Sequence, residues 1–135
     1  MAQLERAEVL PVRAEDDVVR VRQTVRTWSV QLGFSLVDQT KMVTAASEIA
    51  RNTVIYGKGG TVRLEAIHNG ERRGLRLVFE DKGPGIRDLD LAMRDGYTTG
   101  SGLGMGLGGA KRLVSEFHVD SRPGEGTTVT LTRWK

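Results

Sequence analysis

The 135-residue sequence contains no cysteine, only three prolines and few aromatic residues. The absence of cysteine excludes disulfide bonds, thiolate metal sites and cysteine nucleophiles. No apolar run approaches the roughly 20 residues that a membrane-spanning helix needs. The first residues are charged and lack the apolar core of a signal peptide. We therefore expect a cytoplasmic protein that makes no membrane contact.

The sequence also has no large excess of positive or negative charge. Twenty Lys and Arg residues against seventeen Asp and Glu residues give a net charge of +3. The basic residues never form a run of five, and the sparse aromatics provide no stacking platform for bases, so we expect no nucleic-acid partner. A chain of this length is typical of one domain, here residues 1–135.

Glycine, in contrast, is abundant near the C-terminal third of the chain. Six glycines fall within ten positions: Gly100, Gly102, Gly104, Gly106, Gly108 and Gly109. Ordering glycine costs more backbone entropy than ordering any other residue, so such a run indicates a backbone that must approach something closely. A helical pattern follows, and glycines that lead into a helix are typical of a phosphate-binding segment.

Three glycine motifs compete for this segment. A P-loop is excluded because Ala110 stands where its lysine should be. The dinucleotide fingerprint G-x-G-x-x-G matches Gly104, Gly106 and Gly109, but a turn-rich segment precedes them instead of the buried strand that this motif requires. A glycine lid over the phosphates of a nucleotide is the third interpretation, and it requires companion motifs upstream.

The hydrophobic periodicity predicts an α+β protein. Apolar residues at helical spacing predict helices over residues 15–32, 36–55 and 106–117, with a short one at 87–93. Alternating and β-branched segments bounded by turn residues predict strands at 7–13, 61–68, 75–80, 117–121 and 127–134. Antiparallel strands with grouped helices predict a two-layer α/β sandwich with helices on one face of the sheet.

Two groups of polar residues could carry chemistry. Glu48 and Asn52 are four apart on the predicted second helix and so share a face. A carboxylate and a carboxamide side by side can bind a hard cation and accept a proton from a hydroxyl, although a solvated helix face gives the same pattern. Asp81 ends a strand and precedes Gly83 and Gly85, a pattern that suits a flat ligand with an amino group, and equally a plain turn.

The order of these motifs resembles the GHKL superfamily of ATP-binding proteins, which joins DNA gyrase, the Hsp90 chaperone, sensor histidine kinases and MutL. The resemblance covers about residues 35–133. It implies that Asn52 coordinates Mg²⁺ and that Asp81 contacts the adenine amino group of ATP, with Gly83 and Gly85 shaping the pocket. It further implies that Thr127 supports the adenine and that one segment wraps the phosphates, namely the stretch holding Gly100, Gly102, Gly104, Gly106 and Gly108.

Within this superfamily, residues 42–56 and the glycine-rich ending are similar to stand-alone serine/threonine kinases that regulate bacterial sigma factors, above all to the stressosome switch kinases. This resemblance implies that Glu48 is the general base, and that the substrate is a small antagonist or scaffold protein of the STAS fold. It also implies a PP2C-type phosphatase as a second partner. Apart from the resemblance, four basic residues are candidate contacts to the γ-phosphate, although solvated surface charge is the commoner role for any one of them: Arg51, Lys58, Arg87 and Lys111.

Two other functions stay open. One is an anti-sigma factor that phosphorylates its antagonist and also binds a sigma factor. The other is an ATP-responsive binding module without catalysis. The carboxylate of Glu48 favours a kinase over a pure binding module, which has no evident need for it.

Overall fold

The computed structural model describes residues 2–86, Met93 and residues 106–135. An antiparallel sheet of five strands, in the order β1-β2-β3-β5-β4, carries helices on one face. Along the chain the elements are β1 (Gln3–Val12), α1 (Glu15–Gln31), α2 (Leu36–Ile55), β2 (Gly60–Asn69), β3 (Arg72–Asp81), α3 (Gly106–Arg112), β4 (Glu116–Arg122) and β5 (Gly126–Trp134). The predicted α+β sandwich is therefore confirmed.

The first two helices follow the predicted periodicity. Helix α1 buries the apolar stripe that its sequence shows: Val18, Val21, Val25 and Trp28. Helix α2 begins after Ser35, whose Oγ accepts a hydrogen bond from the backbone N of Asp38 at 3.1 Å. Its buried face is mostly small residues, which lets the helix lie close to the sheet and to α1. None of the helices in the described ranges is long and apolar enough to cross a membrane.

Several predicted boundaries are wrong by a few residues. Strand β1 begins at Gln3 and not at residue 7, since its first half pairs with the end of β2. The hairpin between β2 and β3 is a two-residue turn, with Gly70 at φ 62°, where the sequence predicted a six-residue loop. Of the helix predicted at residues 87–93, only Met93 lies within the described residues.

Helix α3 ends at Arg112, five residues before its predicted end. The backbone N of Ser115 donates to the carbonyl of Thr132 at 2.8 Å, so the chain has already joined the sheet there. The apolar residues that continue the helical spacing, Leu113, Val114 and Phe117, pack against the core from a turn and a strand instead. Tertiary pairing therefore overrides a local helical pattern at this point.

The sheet face away from the helices carries a buried charge cluster. Glu65 is 7% exposed and accepts hydrogen bonds from the guanidinium groups of Arg63 and Arg76. Burial raises the pKa of the Glu65 carboxyl, but the bonds from Arg76 and Arg63 outweigh it and the pKa lies below its usual range. This pairing makes burial of a carboxylate tolerable on the outer face.

Arg133 joins the sheet to helix α2 and to the turn after α3 on the inner face. Its Nη2 donates to Oδ1 of Asp38 at 2.6 Å, and its Nη1 donates to the carbonyl of Leu113 at 2.8 Å. Its Nε is buried and has no partner among the described residues. One side chain of β5 therefore fixes the start of α2 and the turn that follows α3.

Replacement of Asp38 by Asn is expected to lower the free energy of unfolding by about 1–3 kcal/mol, because Arg133 then keeps its burial but loses a charged acceptor. The bond from Arg133 lowers the pKa of Asp38. The stabilisation that this ion pair gives is therefore complete above the pKa near 4 that Asp38 has in the unfolded chain. It disappears as the pH falls through the lower pKa that Asp38 has in the folded protein. Urea unfolding at pH 7 and pH 3 checks it.

Asp16→Asn is the matched control, since Asp16 is an exposed first-turn acid of α1. At pH 7 this variant should lower the free energy of unfolding by only a fraction of the loss expected for Asp38→Asn. A loss for Asp38→Asn that is equally large at pH 3 would contradict the electrostatic origin.

Candidate functional site

Helix α2 carries both side chains of the predicted chemical pair. The side chain of Glu48 is 14% exposed, and Arg51 lies with Nη1 3.9 Å from its Oε1. The same guanidinium, through Nη2, is also 3.9 Å from Glu15 at the start of α1. Asn52 is partly buried, one turn beyond Glu48. The helix therefore presents a carboxylate and a carboxamide together, with the carboxylate beside a cation shared with α1.

The C-terminal end of α2 meets the end of β3 at Gly57. A Cβ atom on Gly57 would lie 2.4 Å from Cγ and Oδ2 of Asp81, so a side chain is excluded there. The backbone N of Gly57 still bonds to the carbonyl of Asn52 at 3.1 Å. Asn52 lies five residues before Gly57, which corresponds to a rise of about 7.5 Å along a helix. The structure therefore brings Asn52 and Asp81 to the same end of the interface between α2 and the sheet.

Gly83 and Gly85 hold the segment after β3 against its neighbours. The backbone N of Gly83 donates to Oδ1 of Asp81 at 2.9 Å, and an added Cβ would lie 2.7 Å from the carbonyl of Gly57. Gly85 has a φ of 78°, and an added Cβ would lie 2.3 Å from the carbonyl of Arg122. Both positions therefore require glycine for close backbone approach, and Gly85 also for its conformation.

Thr127 and Ser121 extend the site across the sheet. Thr127 lies directly opposite Asp81 in the register of β3 and β5, and Ser121 lies opposite Thr127 in that of β4 and β5. Directly opposed residues share one face of a sheet. The two hydroxyl oxygens are 2.8 Å apart. Asp81, Thr127 and Ser121 therefore form a polar row at one end of the inner face.

Sequence reasoning missed Ser121 and the role of Gly57. The predicted turn at residues 122–126 already implied that Ser121 and Thr127 flank a hairpin and could pair, so a signal for Ser121 was present. Gly57 carried no comparable signal, since its requirement comes from a carboxylate 24 positions along the chain.

The glycine segment is only partly described. Gly100, Gly102 and Gly104 lie outside the described residues, as does Arg87. Gly106 begins α3, and Gly108 lies in its first turn and is buried. Of the other basic candidates, Lys111 is exposed on α3 and Lys58 is exposed beyond α2 with a φ of 60°. Arg51 forms ion pairs with Glu15 of α1 and with Glu48 of α2.

The residues present fit the chemistry of a Mg²⁺-bound nucleotide. One oxygen of Asp81 holds the N–H of Gly83, and a carboxylate has capacity for further donors such as an amino group. Asn52 offers a hard oxygen ligand. The described part of the chain contains no group of three His, Asp or Glu side chains suited to a metal. A Mg²⁺ ion here would therefore draw most of its ligands from phosphates and water.

The chain is similar to several known proteins. Residues 37–135 match the family described as histidine kinase-, DNA gyrase B- and HSP90-like ATPase. Over 123 residues the chain is 42% identical to the serine/threonine-protein kinase RsbT of Bacillus subtilis (strain 168), which covers 91% of this chain and 92% of the relative. Over 118 residues it is 34% identical to the anti-sigma F factor of Clostridium kluyveri, covering 83% and 82%.

A solved structure also matches. The structure of the RsbU and RsbW domains of Rv1364c from Mycobacterium tuberculosis superposes with a TM-score of 0.67 at 25% identity. The match covers 97% of this chain and 33% of that chain, so the fold recurs as one part of a longer protein.

Gly57→Ala is expected to weaken the binding of Mg·ATP about 10- to 100-fold, because the added methyl group displaces the Asp81 carboxylate and costs a hydrogen bond to a charged group. Titration calorimetry with Mg·ATP checks this. Gly70→Ala is the control, since Gly70 lies in a hairpin turn with nothing within 4 Å of an added Cβ. It should lower stability slightly and leave the affinity unchanged. Wild-type affinity in Gly57→Ala would contradict the role assigned to this contact.

Proposed function

The chain belongs to the family of histidine kinase-, DNA gyrase B- and HSP90-like ATPases, in which it is a serine/threonine protein kinase, and we propose that its substrate is a small STAS-domain protein. In this proposal the kinase acts in a partner-switching pathway that regulates a sigma factor, in the cytoplasm. The substrate is the antagonist of an anti-sigma factor or a scaffold of related domains. Phosphorylation then changes which partner each protein binds.

The observation that carries the proposal is the geometry of α2. One rigid helix presents Glu48 and Asn52 a turn apart, and its end contacts Asp81 through Gly57. This helix carries the proposed general base and the proposed metal ligand, and its end contacts the carboxylate proposed to bind the adenine. It can therefore position all three groups against one nucleotide. Positioning and charge stabilisation provide most of the catalysis in phosphoryl transfer.

In the proposed reaction, Asp81 accepts a hydrogen bond from the adenine amino group, and Asn52 would hold a Mg²⁺ ion through its side-chain oxygen. A bound Mg²⁺ ion would neutralise charge on the β- and γ-phosphates. The hydroxyl oxygen of the substrate serine or threonine attacks the γ-phosphorus while its proton passes to Glu48. The bond from the γ-phosphorus to the β–γ bridging oxygen breaks, and ADP leaves.

The glycine segment completes this proposal. Gly100, Gly102, Gly104, Gly106 and Gly108 are assigned to the phosphates, as the resemblance implies. Support comes from the position of α3, since Gly108 is buried where α3 packs against α2, the helix that carries Asn52. The glycine segment therefore leads into an element that contacts the helix assigned to the metal.

Glu48→Gln is expected to lower the rate of phosphoryl transfer about 10²- to 10⁴-fold, because the amide cannot accept the hydroxyl proton. The affinity for ATP should change little, since Glu48 acts on the substrate hydroxyl. Transfer of γ-³²P from ATP to a purified small STAS-domain protein measures the rate, and calorimetry measures the affinity.

Glu15→Gln is the matched control, because it removes the other carboxylate near Arg51 without touching the proposed base. Its rate should stay within a few-fold of the wild type. Full activity of Glu48→Gln would exclude Glu48 as the base. Tight ATP binding without transfer to any STAS-domain protein would favour the non-catalytic binding module.

The similarity to anti-sigma F factors favours a second candidate function, direct binding of a sigma factor. A PP2C-type phosphatase is the partner expected of a switch kinase instead. Co-purification of the kinase with each protein, in ADP and in ATP, separates the two. Under the switch-kinase proposal the phosphatase is retained and the sigma factor is not, whereas retention of sigma would favour the anti-sigma factor.

A further inference from the structure

Helix α3 has little tendency to form by itself. It is seven residues long, and three of them are glycine: Gly106, Gly108 and Gly109. Glycine is among the least favourable residues in a helix, and helices of this length are marginal in water without tertiary contacts. The position of α3 therefore depends on the groups that hold it from outside.

The C-terminal end of α3 is held by a charged side chain of the sheet. The carbonyl of Leu113, one residue beyond α3, accepts a hydrogen bond from Nη1 of Arg133 at 2.8 Å. The last carbonyls of a helix have no acceptor role within it, and a cation is favourable at this end. Arg133 therefore caps α3, while the buried side chains of Leu107 and Ala110 hold it within the core.

The same guanidinium also holds α2. Its Nη2 donates to Oδ1 of Asp38, in the first turn of α2, at 2.6 Å. A guanidinium is planar, and the separation of its two Nη atoms is fixed. Bonds from both atoms to two separate elements therefore fix the distance between the end of α3 and the start of α2.

The charge of Arg133 is unusual for its place in β5. The inner-face residues before it, Val129 and Leu131, are apolar and buried. The side chain of Arg133 is 17% exposed, and its Nε is buried without a partner among the described residues. A buried donor without a partner is destabilising. An apolar side chain would avoid this loss, so a guanidinium is favoured here for the two bonds that it makes.

Arg133 is remote from the residues assigned to the adenine. Thr127, which lies opposite Asp81, is six residues earlier on β5, a distance of about 20 Å along a strand. The elements that Arg133 joins are instead those assigned to the phosphate end of the nucleotide. Helix α2 carries Asn52, and α3 begins with the last glycines of the glycine segment.

We propose that Arg133 is a positioning residue of the nucleotide site, which ties α3 to α2 and so fixes the glycine segment relative to Asn52. In this role it sets the share of the affinity for Mg·ATP that comes from the phosphates. The inference rests on the proposed function and adds a residue to it. Arg133 acts through the two helices and does not touch the nucleotide.

A comparison of Mg·ATP with AMP tests the inference without any activity measurement. The two nucleotides share adenine and ribose, but AMP lacks the β- and γ-phosphates. In Arg133→Met the ratio of the two affinities should fall about 10-fold from the wild-type ratio, since binding must then order elements that one or two hydrogen bonds hold in the wild type. The affinity for AMP should stay unchanged. Titration calorimetry measures both.

Two further variants separate this role from an effect of charge. Arg72→Met is the matched control, because it removes an exposed guanidinium beside Trp134 at the same end of the sheet. It should leave the ratio unchanged. Asp38→Asn removes the charged acceptor on α2 and should lower the ratio by less than Arg133→Met does. The double variant Arg133→Met/Asp38→Asn should lose no more of the ratio than Arg133→Met alone, because the two residues act as one contact.

A wild-type ratio in Arg133→Met would overturn the inference and leave the proposed kinase function intact. An equal loss of affinity for Mg·ATP and AMP would do the same, since it would show a general loss of structure. If Arg133→Met does not fold, a wild-type ratio in Asp38→Asn has the same meaning. A wild type that binds neither nucleotide would overturn the proposed function, and the inference with it.

Discussion

The structure depends on the contact between the Asp81 carboxylate and the backbone at Gly57. Carboxylate atoms lie where a Cβ of residue 57 would be, so the end of α2 and the end of β3 can meet only because that residue is glycine. The contact fixes how far along the sheet α2 can sit, and with it the height of Glu48 and Asn52. The end of β3 and helix α2, which the proposed function assigns to the adenine and to the chemistry, are thus set relative to each other by one steric constraint.

A second constraint works at the opposite end of α2. Arg133 ties Asp38, in the first turn of α2, to the turn after α3. With its start held by a charged pair and its end held by packing, α2 has little freedom to slide or tilt. This suits a helix assigned to hold both a metal ligand and a base, since small displacements of reacting groups cost large factors in rate. The helical layer therefore supports the site even where it contributes no group to it.

Features that depend on interactions between residues close in sequence were predicted correctly, and features that depend on contacts between distant residues were not. Helices α1 and α2 were predicted to within a residue, because their apolar spacing and the Ser35 cap are local signals. The end of α3 was wrong, since the bond from Ser115 to Thr132 joins residues that are distant in sequence. In the candidate site, Glu48, Asn52 and Asp81 were predicted from motifs, which record residue types, and their roles stay predictions. The fit of Gly57 against Asp81 was not predicted, because it depends on the distance between separate elements.

Under the proposed function, the polar row at the strand ends is the part of the sheet that contacts the adenine. Neighbouring strands place Asp81, Thr127 and Ser121 side by side on one face, so their spacing is set by the ladder and not by flexible side chains. Ordering a binding surface of this kind costs little side-chain entropy, since short side chains on a paired backbone have few rotamers to lose. The helix, by comparison, carries the longer Glu48 beside Arg51, and the proposed function places the transfer of the phosphoryl group there. Recognition of the base and transfer of the phosphoryl group are thereby assigned to different layers of the sandwich, and a substitution in one layer can alter its step while leaving the other intact.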